Sequence, residues 1–121
     1  THMAQIRLSD GEWKLMELLW EESPVNSTRL VERCRERLTW SKSTTYTVLR
    51  RLCRKGAAVN EGAVVSPKLG REEALRAQGE ELEEQAGGLS PFLNAFFSGR
   101  RLTPEEAEEL KELIDRHTWE G

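Results

Sequence analysis

The sequence predicts a mainly α protein with one small β-hairpin, on three observations. Apolar residues recur at helical spacing three times before Gly56, a short stretch rich in turn residues follows, and further helical stretches occupy the rest. At 121 residues and 37% hydrophobic content, the chain suits one small domain with an appendage rather than two full domains.

Each element has its own signal. In "LSDGEW", Ser9 precedes Glu12 at the spacing of a capping box, so a helix starts there. Trp13, Met16, Leu19 and Trp20 continue it until "ESP" stops it near Glu22. A second helix opens at Asn26 or Ser27 and carries Leu30, Val31 and Cys34 to about Leu38. The third opens at Ser41, turns Val48, Leu49 and Leu52 inward, and stops at Gly56, a residue suited to the left-handed helix end. Three helices thus precede any strand. "AAVNEGAVVSP" then reads as a hairpin with its turn at Asn60, Glu61 and Gly62, closed by Pro67. Three helices and a hairpin are the order of a winged helix-turn-helix DNA-binding domain, whose third helix enters the major groove while the hairpin lies beside the backbone. The expected boundaries are 8–69 for this domain and 70–121 for a C-terminal helical dimerisation region. Residues 1–7 form an N-terminal tail in which Thr1 and His2 read as a cloning remnant.

In the C-terminal half, Gly70 to Gln85 suits a helix with a thin apolar stripe of Leu75, Leu82 and alanines. After a Gly-Gly break, "GGLSPFLNAFF" concentrates Leu89, Phe92, Leu93, Phe96 and Phe97. The last helix has Thr103 as cap, Pro104 at its first position and Glu106 at capping-box spacing, with Ala107, Leu110, Leu113 and Ile114 as its stripe. These stripes either fold back as ordinary core or meet a second copy. An acidic "EELEEQ" face and short helices with one stripe each favour the homodimer, with Leu75, Leu82, Leu89, Phe92, Leu93, Phe96, Phe97, Leu110, Leu113 and Ile114 as its contacts.

Charge divides the chain. Residues 1–68 hold 12 basic and 8 acidic side chains, net +4; residues 69–121 hold 6 and 13, net −7. From Arg37 to Asn60 there are six basic residues and no acid, which points to a polyanionic partner for the first half. Placed at about 100° intervals, Thr45, Val48, Leu49, Leu52 and Cys53 fall in one arc of roughly 140°, with Ser43, Tyr46, Thr47, Arg50, Arg51 and Arg54 opposite. Hydroxyls and guanidiniums suit base edges and phosphate oxygens. The expected DNA contacts are therefore Ser41, Lys42, Ser43, Thr44, Tyr46 and Thr47 near the helix start, and Arg50, Arg51, Arg54 and Lys55 toward flanking phosphates. A merely solvated basic face is the plainer reading, but hydroxyl residues are poor helix formers without another use.

Other classes find less support. No stretch approaches the roughly 18 apolar residues of a membrane span, and "THMAQ" lacks a signal peptide's apolar segment, so a cytoplasmic protein with no membrane partner is expected. Cys34 and Cys53 form no CxxC or Cys/His cluster and read as reduced core residues. His2 and His117 are solitary; no metal and no cofactor is expected. Carboxylates belong to acidic helical faces, and no nucleophile–base set is present, so the chain does not read as an enzyme. A winged domain used only for protein contacts is the alternative.

"LSDGEWKLMELLW", "TWSKSTTYTVLRRLCRKG" and "VVSPKLGREEAL" together resemble the penicillinase repressor family of the BlaI, MecI and CopY type, from Leu8 to about Ile114. The resemblance implies a bacterial winged-helix repressor, a homodimer on a palindromic double-stranded operator of β-lactam-resistance genes, regulated by a metal or by a sensor-linked protease. The family's metal branch carries a cysteine-rich CxC tail, and no cysteine follows Cys53 here. Its proteolysis branch is cut at an Asn-Phe bond that aligns with Ala95 and Phe96; here Asn94 stands one place earlier, which makes Asn94, Ala95 and Phe96 the candidate cleavage segment. The hairpin is shorter than usual in the family, and no Lys or Arg lies between Lys55 and Lys68, so few wing contacts are expected.

Overall fold

A computed structural model describes residues 6–121; the reading of Thr1 and His2 lies outside the described residues. Helix α1 (Asp10–Glu21) starts as its sequence requires, with Ser9 and Glu12 closing a reciprocal capping box. Strand β1 (Val25–Asn26) follows, then α2 (Ser27–Leu38) capped by Asn26, and α3 (Lys42–Lys55) capped by Ser41. Gly56 ends α3 at φ 82°, where its missing Cβ removes the steric penalty of the left-handed region. Strands β2 (Ala58–Glu61) and β3 (Val64–Pro67) form the hairpin, and the sheet order is β1-β3-β2, antiparallel throughout.

Two expectations need correction here. A strand does precede the third helix: Val25 pairs with Val65 and Asn26 with Val64. Two residues are too few for any alternation to show in a sequence. The hairpin turn also lies later than expected. Asn60 and Glu61 pair with Val65 and Val64, and the turn is Gly62-Ala63, with φ of 56° and 65°. Two consecutive positive φ values are those of a type I′ turn, whose twist matches that of the strands it joins.

Leu15, Met16, Leu19, Leu30, Cys34, Val48, Leu49, Leu52 and Val65 make one core shared by the three helices and the sheet. Thr45 belongs to it because its hydroxyl donates to the Ser41 carbonyl at 3.0 Å, so a polar atom is buried with its bond made. Trp13 and Trp20 meet edge to face at 5.3 Å, and the Trp20 indole donates to the Leu69 carbonyl at 2.9 Å.

Helix α4 (Arg71–Ala86) buries Ala74 and Ala77, whereas Leu75 and Leu82 stay exposed. The first compact unit runs through Leu82 and the second from Glu83 to Gly121. In the second, α5 (Leu89–Phe97) and α6 (Pro104–Arg116) contain no buried residue. Thr103, Pro104 and Glu106 start α6 as expected, with the capping box complete. No helix among the described residues is long and apolar enough to cross a membrane.

Candidate nucleic-acid interface

Capping and burial sort the residues of α3. Ser41 Oγ accepts from the Thr44 amide at 3.2 Å and donates to Thr44 Oγ1 at 3.1 Å, so both hydroxyls serve the helix start. Ser43 and Thr47 are exposed and make no side-chain hydrogen bond among the described residues. They lie four apart, on one face. Tyr46 is half-buried, with its ring against the core.

The basic residues separate by their partners. Three of the four arginines of α2 are neutralised locally: Arg33 bonds Glu21 and Glu22 at 2.9 Å each, Arg37 bonds Glu21 at 3.2 Å, and Arg29 pairs with Glu22 and Glu32, while Arg35 is exposed and pairs with no acid among the described residues. Hydrogen bonds from Arg37 and Arg33 hold the Glu21 carboxyl below its ordinary range. On α3, Lys42, Arg50 and Arg54 are exposed and pair with no acid among the described residues. Arg51 and Lys55 differ, since both meet Glu12. Sequence reading put all five together because helical angle alone does not show which flank meets a buried acid.

Glu12 is 2% exposed. Its Oε1 accepts from the Ser9 amide at 2.9 Å and from Lys55 Nζ, and its Oε2 lies 3.5 Å from Arg51 Nε. Burial pushes its carboxyl up, but the Lys55 and Ser9 hydrogen bonds with the charges of Lys55 and Arg51 leave it below its ordinary range.

Between α3 and the hairpin runs an open cleft of about 570 Å³, lined among others by Tyr46, Arg50, Cys53, Arg54, Asn60 and Lys68. Lys68 and Asn60 were not among the expected contacts. Both were hidden by sequence distance, since only the return of β3 along β2 brings Lys68 to the same cleft as Arg50 and Arg54. Burial raises the thiols of Cys34 and Cys53 above their ordinary range, as befits reduced packing residues.

The expected dimer contacts lie on two sides of the unit boundary. Leu75 and Leu82 are exposed in α4; Leu89, Phe96, Leu113 and Ile114 are exposed beyond it, Ile114 at 62%. Phe92, Leu93, Phe97 and Leu110 are half-buried. The phenylalanines touch in a row, Phe92 to Phe96 at 6.3 Å and Phe96 to Phe97 at 5.8 Å, and the Arg100 guanidinium lies 4.6 Å from the Phe96 ring centre. Leu102 and Trp119 are exposed too, Trp119 at 88%, and neither was singled out by helical spacing because both lie outside the helices. Asn94, Ala95 and Phe96 are exposed within α5, where the Asn94 and Ala95 carbonyls accept from the Ser98 amide. No group of three His, Cys, Asp or Glu able to hold a metal occurs among the described residues. His117 Nδ1 lies 2.9 Å from the Leu113 carbonyl at the end of α6.

Comparison with known proteins gives a consistent result. The family model described as penicillinase repressor matches residues 8–116. A penicillinase repressor from Bacillus licheniformis is 26% identical over 117 residues, covering 92% of this chain and 91% of its own. Among solved structures, the DNA binding domain of the repressor BlaI aligns with a TM-score of 0.50 at 29% identity, over 60% of this chain and 93% of that one. The B. licheniformis BlaI monomeric form in complex with the blaP half-operator aligns with a TM-score of 0.48 at 31% identity, over 55% of this chain and 87% of that one.

Proposed function

The chain belongs to the penicillinase repressor family, and from that premise we propose that it is a DNA-binding transcriptional repressor acting as a homodimer on a palindromic operator, with the outer face of α3 as its reading surface. The observation that carries the reading is the sorting of charge. Of the four α2 arginines, Arg29, Arg33 and Arg37 are matched by acids and Arg35 is not, whereas Lys42, Arg50, Arg54 and Lys68 are all exposed without one among the described residues. An unmatched cation row attracts a polyanion because each phosphate it neutralises releases condensed counterions.

Roles follow from position. Ser43 and Thr47, with Lys42, present donors at the start of α3, where a recognition helix reaches base edges, while Ser41 and Thr44 fix that start by capping it. Tyr46 supports the face with its ring. Arg50 and Arg54 meet phosphates on one wall of the cleft, and Lys68 meets them on the other. Arg51 and Lys55 stay with Glu12 and are left out of the face.

Two copies are held together by the exposed stripes of the C-terminal region, setting two α3 helices about 34 Å apart, one turn of DNA. Occupation of a promoter by that dimer excludes polymerase. Cleavage at Asn94, Ala95 or Phe96 by a sensor-linked protease relieves repression by severing the second half of the region from the winged domain. Their exposure supports this, as do the Gly87-Gly88 and Ser98-Gly99 breaks on either side. The genes controlled are, by the family's pattern, those of β-lactam resistance.

Arg50→Glu with Arg54→Glu tests the face. Fluorescence anisotropy on a duplex selected from random sequence should show affinity lowered by about 100-fold or more, with dimer mass and melting unchanged. Undiminished binding sinks the reading and favours a module used for protein contacts.

A further inference from the structure

Resting on that reading, we propose that Glu12 is a built-in substitute for a DNA phosphate: it holds Arg51 and Lys55 away from the nucleic acid, and so limits the chain's attraction for DNA of any sequence.

The carboxylate lies in the first turn of α1 and offers two anionic oxygens, as a phosphate does. One takes the Lys55 ammonium and the other faces Arg51 Nε at 3.5 Å. Lys55 Nζ also donates to the Arg7 carbonyl at 2.8 Å, so two acceptors hold it. The two cations lie four residues apart on α3 and form a second row about 100° round the helix from Arg50 and Arg54, so without Glu12 they would widen the cationic surface beside that row. Their side chains remain 45% and 40% exposed, whereas the carboxylate is sealed from solvent. The acid is therefore fixed and the bases are releasable. A helix cap alone needs none of this, because the Ser9 amide requires one acceptor oxygen and no charge. Sequence-independent binding scales with the number of phosphates neutralised, so withholding two cations lowers it while leaving base contacts intact.

Glu12→Gln separates the two roles, since the amide oxygen still accepts from Ser9 while the negative charge is gone. The measurement is anisotropy across a salt series, with wild-type and variant full-length protein on two labelled duplexes of about 30 bp, three helical turns. One duplex is of random sequence and the other is selected from a random library. Glu12→Gln should steepen the log-affinity against log-salt slope on random DNA by about one to two, and tighten that binding roughly tenfold for each phosphate newly neutralised near 0.1 M salt. The ratio of selected to random affinity should fall. Arg51→Gln with Lys55→Gln should leave the slope unchanged in the wild-type background and restore it in the Glu12→Gln background. An unchanged Glu12→Gln slope overturns the proposal. So does a wild-type slope that flattens by one or two when Arg51 and Lys55 are replaced, and this arm is independent of how the Glu12 variant folds. If wild-type protein binds neither duplex, the repressor reading itself falls, and this inference with it.

Discussion

A carboxylate with so little exposure as Glu12 stays ionised only because every side of it has a donor, and its acid response follows from that. Burial raises its pKa, but the Lys55 and Ser9 bonds and the two nearby charges more than offset the rise; Glu21 is lowered by Arg37 and Arg33. A carboxyl with a folded pKa below its unfolded value takes up its proton first in the unfolded chain. Its contribution is therefore complete above the ordinary carboxylate range and is lost as pH falls through the folded pKa. Urea midpoints should drop between about pH 6 and pH 3, and Glu12→Gln should drop less over the same window. Parallel pH profiles for the two proteins would show that Glu12 has no such role. Half of its chemistry was readable in the sequence: Ser9 and Glu12 stand at capping-box spacing, and the box is there. The ion pair was not readable, since Lys55 stands 43 positions away and only the packing of α1 on α3 joins them. Tyr46 shows the same limit, because its angle on a helical wheel places it outside, yet its ring is long enough to lean onto the core.

Elements with strong end signals were legible, and elements set by pairing were not. Ser9, Asn26, Ser41 and Thr103 each cap the helix their sequence announces, because a cap is a contact among residues two or three apart. The hairpin was legible as a hairpin but not in register. "NEG" supplies common turn residues, whereas the chain turns at Gly62-Ala63 so that Val65 reaches the core and pairs with both Val25 and Asn60. A shift of one residue would turn that valine outward. The register thus forces Ala63 to φ 65°, a conformation its Cβ disfavours. Ala63→Gly removes that penalty and keeps the bond that matters there, the Ser27 amide donating to the residue-63 carbonyl at 2.8 Å. The gain in flexibility of the unfolded chain offsets part of the relief, leaving about 0.5–1 kcal/mol of stabilisation. Thermal melts should show the midpoint rising, with DNA affinity unchanged; a lower midpoint would mean that the Ala63 methyl has a favourable contact outweighing its strain.

Across the whole chain, the split between a net charge of +4 and one of −7 was plain from composition, and it matches the proposed division between binding DNA and self-association. Helices α5 and α6 carry the argument for the proposed homodimer. They carry Leu89, Phe96, Leu113 and Ile114 largely in solvent, and nothing in their own unit is buried enough to serve as a core. Short helices gain most of their stability from packing an apolar face, so these faces are expected to be covered by a second copy. Ile114→Asp puts a charge at the most exposed position of the α6 stripe while leaving the core of the winged unit untouched. Sedimentation should show a dimer for the wild type and a monomer for the variant. The monomer should bind a single half-site as well as a wild-type half does, but bind the full palindrome more weakly by about 100-fold or more, because the second half-site no longer benefits from the effective concentration that the dimer confers. Equal weakening on half-site and palindrome would place Ile114 in the fold of the reading domain instead. Retention of both the dimer and full affinity would move the interface to the α4 leucines Leu75 and Leu82, the other large apolar side chains exposed on a helix among the described residues.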